Sequence, residues 1–397
     1  MKYWHYSLVF FCFTALNCRN TVTRPIDFVS KNDLQELKTT TSTQEIHLDP
    51  KTPYDYIHIH PINSSDHPLI LVTNLSNKSL DYYSLINGQL TKRINLNSGE
   101  IKSKIDNIGG VVYFSPDTLW LINNFHPAKS VLINSSGQII DDHPFEDPAY
   151  SKELILRVAF CAGNCSPIRL GDRFYFKRNT FFDPLLKPDL LKTFNYLWSY
   201  STKLKSFKPV KGSILPDEYA AYNMASNLVE PTYCLNEFAQ LVISWPILNY
   251  LMIYDPENDT FSKPFQEYGV LNIQDDFSTG NNNSTILVNT FKNDQYNHIL
   301  YDSVNHLYYR FLFHKLKEDE LEQTSLLFNS YKQSFKILIY SKSYSILGYL
   351  SFPPNKYDAF RSFVFNGEIY LSNSNLNNPE FSEDKIVFTK IRLSGLH

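Results

Sequence analysis

The sequence predicts an all-β chain folded as a single β-propeller, with six blades favoured and seven the alternative. Three observations predict it. Short apolar runs, rich in β-branched and aromatic side chains, recur from about residue 45 to the C-terminus and are broken by Asn, Asp, Ser, Gly and Pro, the pattern of many short strands. The runs pair into hairpins of one recurring form: an apolar strand, an Asn- or Asp-type turn, and a second strand. The turn positions 87, 134, 200, 254, 302 and 340 follow one another at steps of about 40 to 65 residues, close to the length of a four-stranded blade.

The hairpins justify themselves in chain order. Leu80–Leu90 turns at Asn87-Gly88, the strongest short hairpin signal. Ser130–Ile140 turns around Asn134 and Gly137, and Tyr196–Phe207 after Tyr200. Tyr250–Phe261 turns after Tyr254-Asp255, His298–Tyr309 after Tyr301-Asp302, and Lys336–Ile346 after Tyr340. Each hairpin is expected to form the outer part of a blade. Runs such as Leu69–Thr73, Thr118–Ile122, Arg173–Phe176, Gln240–Ser244, Ser284–Val288 and Glu368–Leu371 supply inner strands. The last run, Lys385–Ile391, is expected to pair with an N-terminal strand near residues 45–60 and close the ring. Two stretches break the repeat: a loop over Phe181–Phe194, and Leu316–Leu327, whose composition predicts a short surface helix.

Composition bounds the function. There are 37 basic and 40 acidic residues, so no basic excess points to nucleic acid, and none is expected as a partner. Aromatic residues reach 15 % of the chain, and the 13 glycines are too few for a glycine-rich phosphate cradle. The aromatic excess is expected mainly to fill the gaps between blades.

The N-terminus reads as an export signal. Lys2 precedes an apolar run from Leu8 to Leu16, too short to span a bilayer and of the length of a signal peptide. Cys18 follows directly, and the segment resembles a bacterial lipobox, in which the cysteine takes diacylglycerol and becomes the new N-terminus. Ala15 stands where Leu is usual and Asn17 where Gly or Ala is usual, a looser form similar to those of Bacteroidota and spirochaetes. A plain signal peptide is the alternative. The expected organisation is a signal at 1–17, a lipidated tether at 18–44 and the propeller at 45–397. No acidic residue occurs between Cys18 and Asp27, which favours a lipid-anchored protein of the outer membrane facing the periplasm.

The Gly109–Ile122 stretch, the export signal and the Tyr254-Asp255 type of hairpin together resemble uncharacterised β-propeller lipoproteins of Bacteroidota, labelled as domains of unknown function. The resemblance covers most of residues 40–397. It implies the fold and carries no catalytic signature.

Motifs for chemistry are sparse. There is no G-x-S-x-G, H-E-x-x-H, phosphate loop or G-x-G-x-x-G, so catalytic residues stay unknown and no cofactor is expected. His58 and His60 alternate on a strand and, with His67, form a candidate zinc site, set against a reading as ordinary strand residues. The acidic turns Asp141–Asp147 and Asp255–Asp259 offer oxygen for calcium, although turn chemistry explains both. Cys161 and Cys165 are spaced for a small disulfide loop or stand as buried thiols, and Cys234 is left over. Trp198, Trp245, Tyr82 and Tyr308 are candidate stacking residues for a ligand, against blade packing. Arg157, Arg173, Arg178, Arg310 and Arg361 are candidates to converge on an acidic ligand in the central channel. The favoured function is a non-enzymatic envelope propeller that binds a protein or glycan on one face. The alternative is a polysaccharide hydrolase or lyase with carboxylates or His converging at the funnel from separate blades.

Overall fold

The computed structural model describes residues 34–395 except 51, 53–55, 63–67, 75–76, 98, 106–107, 116, 124–129, 142–166, 179–188, 190–191, 222–227, 265–289 and 322–325. The described residues form six four-stranded antiparallel sheets, the six blades of a propeller. The chain enters through β1 (Thr39–His47). The first blade is β2 (Tyr56–Ile62), β3 (Leu69–Asn74), β4 (Ser79–Ser84) and β5 (Leu90–Asn95). A short helix, α1 (Gly99–Lys104), leads to the second: β6 (Ile108–Ser115), β7 (Thr118–Asn123), β8 (Val131–Asn134) and β9 (Ile139–Asp141). The third holds β10 (Ile168–Leu170), β11 (Arg173–Lys177), β12 (Leu197–Ser201) and β13 (Ser206–Pro209). The fourth holds β14 (Thr232–Leu235), β15 (Leu241–Ser244), β16 (Leu251–Asp255) and β17 (Thr260–Ser262). The fifth holds β18 (Gln295–Asp302), β19 (Leu307–Phe313), β20 (Phe335–Tyr340) and β21 (Ile346–Phe352), with α2 (Leu326–Lys332) between its middle strands. The sixth is β22 (Asp358–Phe365), β23 (Glu368–Ser372) and β24 (Lys385–Leu393), completed by β1.

The predicted ring closure is present. β1 pairs with β24 in continuous register from Thr39↔Leu393 to His47↔Lys385, so the two ends of the chain share one sheet. The closing strand begins before residue 45, inside the stretch expected to be a tether. Its Thr/Ser run has the β-branched side chains that suit an exposed outer strand. Lys385 Nζ reaches Glu45 Oε1 at 2.6 Å across this pair. Behind it, Arg93 of β5 clips the β1–β2 connection to the first blade: Nε meets Asp81 Oδ1 at 2.7 Å and Nη2 meets Asp49 Oδ2 at 2.8 Å.

Two details of the repeat differ from expectation. The hairpins over 298–309 and 336–346 belong to one blade: β18–β19 is its inner pair and β20–β21 its outer pair. The sixth blade is instead built from residues 358–393 and β1. The helix expected at 316–327 is displaced: a 3-10 turn spans Glu318–Glu320, and α2 starts at Leu326.

The core is aromatic and lies between neighbouring sheets. Trp120 of the second blade packs edge-on to Phe174 of the third at 5.2 Å, in a cluster with Phe176, Trp198, Tyr200 and Phe207. Ile59 and Tyr83 of the first blade meet Ile46, Phe363, Tyr370 and Phe388 of the sixth. Each fully buried ring contributes roughly 1.5–3 kcal/mol.

His298 shows what this packing does to a titratable group. It falls at a break in the β18–β19 register, and its ring stacks on Phe311 at 3.7 Å. Burial pushes its pKa down from 6.5 to about 3. The unfolded chain therefore takes up a proton below pH 6.5 that the native state refuses until about pH 3. This contribution is fully present above pH 6.5 and is lost as pH falls through that window. Acidification from pH 7 to 4 is expected to lose about 3 kcal/mol through His298 alone. Urea unfolding of His298→Gln at both pH values should show a correspondingly smaller acid loss than the parent chain.

Candidate functional site

The direction of the strands divides the propeller into two unlike faces. In an antiparallel blade the first-to-second and third-to-fourth turns leave at one end, and the remaining connections leave at the other. At one end the turns are short: residues 171–172, 202–205, 236–240, 256–259, 303–306 and 366–367. At the other end leave the longer connections, those from β9 to β10, β11 to β12, β17 to β18 and β19 to β20.

The short turns touch one another. Ser135 N donates to Asp117 O at 3.2 Å, and Thr202 N donates to Asp172 O at 2.8 Å, joining the two turns of one blade. Between blades, His306 Nδ1 pairs with Glu237, Asn236 Nδ2 donates to Tyr344 Oη at 3.2 Å, and Asn305 Nδ2 donates to Gly367 O at 3.1 Å. Each turn is braced from within. Asp302 Oδ1 accepts from Val304 N at 3.0 Å, and Asn236 Oδ1 accepts from Phe238 N at 3.0 Å and Gln240 N at 2.9 Å. These are Asx turns, in which a short polar side chain does the work of a backbone partner.

On these rigid turns sit exposed apolar side chains. Phe238 is 62 % exposed and Val304 60 %, at neighbouring first turns, and Ile86, Leu204 and Leu347 lie at or beside outer turns of the same face. Towards this end of the channel lies a cavity of about 340 Å³ to which the first strand of every blade contributes, including His60, Tyr113, Ile168, Cys234, Tyr301 and Val364. Its lining carries no Asp, Glu, Lys or Arg among the described residues. Desolvation lowers the His60 pKa to about 4, so the imidazole is neutral at pH 7. Burial raises the Tyr301 phenol to about 12, with Glu237 adding to it. Burial likewise pushes the Cys234 thiol up, away from thiolate chemistry.

The residues singled out from sequence are distributed differently. Trp198, Trp245, Tyr82 and Tyr308 are all buried, so packing accounts for them and none offers a free face. Trp198 belongs to the core between the second and third blades, and Tyr82 to that between the first and second. Trp245 lies edge-on to Tyr196 at 5.2 Å and donates Nε1–H to Met252 Sδ at 3.1 Å. Tyr308 stacks on Tyr344 at 5.2 Å. Among the proposed zinc ligands His60 lines the channel, while the side chain of His58 and all of His67 lie outside the described residues. Among the described residues no three His, Cys, Asp or Glu side chains group to hold a metal. Asp255 is occupied by its own turn: Oδ1 accepts from Glu257 N at 2.9 Å and Oδ2 from Asn258 Nδ2 at 3.0 Å. Cys18, Cys161, Cys165 and residues 142–147 lie outside the described residues.

The described arginines do not meet in the channel. Arg173 is exposed between the third and fourth blades, Arg178 stacks on Phe194 and Trp198, and Arg361 faces Asp358. Arg157 lies outside the described residues. Arg310 is fully buried between the fourth and fifth blades. Its Nε donates to Ser244 Oγ at 2.8 Å, and Nη2 donates to the carbonyls of Trp245 (3.0 Å) and Leu248 (2.7 Å). The guanidinium lies 3.4 Å above the Tyr296 ring.

A crystal structure of a member of the DUF4221 family from Bacteroides vulgatus is similar to this chain, with a TM-score of 0.73 over 91 % of this chain and 99 % of that one, at 19 % identity. The likeness to an uncharacterised propeller of Bacteroidota therefore holds at the level of fold. Virginiamycin B lyase from Staphylococcus aureus (12 % identity, 88 % and 99 % of the two chains, TM-score 0.39) is a coarser likeness. So is the calcium-binding protein regucalcin from Agrobacterium tumefaciens (9 % identity, 87 % and 94 %, TM-score 0.42). No protein-family model and no curated protein matches the chain.

Proposed function

We propose that this chain is a non-enzymatic binding propeller of a bacterial envelope, which takes a protein or glycan ligand on its short-turn face. The observation that supports this is the gathering of exposed apolar side chains on braced turns of that face, Phe238 and Val304 foremost. An apolar side chain carried on a turn whose backbone is already fixed loses less entropy on contact than one on a loose loop, which favours a recognition hot spot. The alternative, a polysaccharide hydrolase or lyase, needs carboxylates or His converging at the funnel from separate blades, and the described lining of the central cavity holds no carboxylate and a single imidazole, His60. Lipidation at Cys18 would tether the ring to the membrane, facing the periplasm; Cys18→Ala should then abolish labelling by a fatty-acid analogue. The face itself is tested by the double variant Phe238→Asp, Val304→Asp. Retention of envelope ligands is expected to fall at least about tenfold with the urea midpoint unchanged. Unchanged retention would remove the short-turn face from the account.

A further inference from the structure

The short-turn face carries a second cavity, a groove of about 650 Å³ between the third and fourth blades. We infer that this groove is an oligosaccharide subsite for a neutral, pyranose-type chain. The inference rests on the reading of this face as the recognition face and names the ligand class at one part of it.

The lining brings together the two things a sugar needs. One wall is the turn that presents Phe238, and the floor is made by Tyr175 and Tyr254, whose rings meet edge-on at 5.9 Å. Around them stand Arg173, Lys208, Glu257 and Asp259, all exposed. A pyranose ring has an apolar C–H face that lies on an aromatic ring and an equatorial fringe of hydroxyls that donate and accept. Phe238 answers the first. Glu257 accepts, and the Arg173 and Lys208 cations donate. Charges of both signs line the groove and nearly cancel, which suits an uncharged ligand.

Both walls are rigid. Asn236 Oδ1 holds the Phe238 amide at 3.0 Å, and Asp255 Oδ1 holds the Glu257 amide at 2.9 Å. Asp259 is fixed by the Tyr254 hydroxyl, which donates to Oδ1 at 2.8 Å. A peptide anchor would call for a closed apolar pocket, whereas here the tyrosine floor is rimmed by charge.

The test uses the full chain in detergent, with neutral hexasaccharides of glucose, mannose and xylose as probes, followed by calorimetry and saturation-transfer NMR. Binding of at least one probe is expected, with saturation strongest on ring C–H protons. Phe238→Ala should weaken it at least about tenfold and erase that saturation pattern. Arg173→Ala and Glu257→Gln should each weaken it about threefold or more. Lys102→Ala, in α1 on the opposite face, should leave it unchanged. No binding by any of the probes, binding indifferent to Phe238→Ala, or a peptide occupying the groove in place of sugar would each overturn the subsite. Those results would leave the retention loss of the double face variant standing, so the two readings fail separately.

Discussion

Arg310→Ala is expected to destabilise the propeller by about 4 kcal/mol, the largest single-residue effect in the described ring. The guanidinium is a full charge buried without a carboxylate among its hydrogen-bond partners, so it is not held by an ion pair. What it supplies is hydrogen bonding. It satisfies the Trp245 and Leu248 carbonyls of the connection between β15 and β16, and it fixes that connection across the fifth blade beside Tyr296. Truncation leaves two buried acceptors without partners, each costing roughly 1–3 kcal/mol. It also removes a cation–π contact and opens a cavity at the blade interface. Relief of the buried charge offsets part of this loss. Arg310→Lys keeps the charge but lacks the planar fork, and about 2 kcal/mol should be lost. Urea unfolding of both variants measures the order; an alanine variant as stable as the parent would show that the carbonyls find other partners.

Gly88→Ala is expected to cost about 3 kcal/mol, and to do so by loosening the closing seam. Gly88 turns the β4–β5 hairpin at φ +70°, where a side chain is strained, and its carbonyl accepts from His47 N of β1 at 2.9 Å. A Cβ built there would lie 2.2 Å from the Glu45 carbonyl oxygen, so β1 must move away. Gly99 supplies the internal control. It shares the positive φ, at +58°, with nothing within 4 Å of an added Cβ. Gly99→Ala should therefore cost the conformational term alone, about 1 kcal/mol. Hydrogen exchange separates the two, because the β1 amides should lose protection in Gly88→Ala and keep it in Gly99→Ala.

The ring was legible in the sequence because each hairpin carries its own local signal. Asn87-Gly88, Asn134 and Asp255 mark turns through short-range chemistry that needs no tertiary partner. The same locality explains the errors. A polar turn closed by a short side chain, Asp302 in one case and Ser341 in the other, looks alike at the inner or outer hairpin of a blade, so β18–β19 and β20–β21 read as two blades when they are one. The sixth blade was harder to see because its fourth strand, Thr39–His47, comes from the other end of the chain. The site was less legible for a similar reason. Conspicuous rings in apolar runs, such as Trp198 and Tyr308, are the ones that pack between sheets. The exposed ring, Phe238, stands alone in a polar turn between Asn236 and Gln240. An aromatic residue inside an Asx turn was the signal available, and it runs against the habit of seeking aromatic clusters. Arg310 sits in the apolar run Leu307–Phe313 with no acidic neighbour to flag it, since the groups it holds are backbone carbonyls from another blade.

The claim that the short-turn face is the recognition face is tested most directly by site-specific photo-crosslinking in the intact envelope. A photoreactive residue is placed in turn at Phe238, Val304 and Ile86 on the short turns, and at Lys102 of α1 on the opposite face. The account predicts discrete adducts from Phe238 and Val304 and none from Lys102. Adducts from Lys102 with none from Phe238 or Val304 would contradict it.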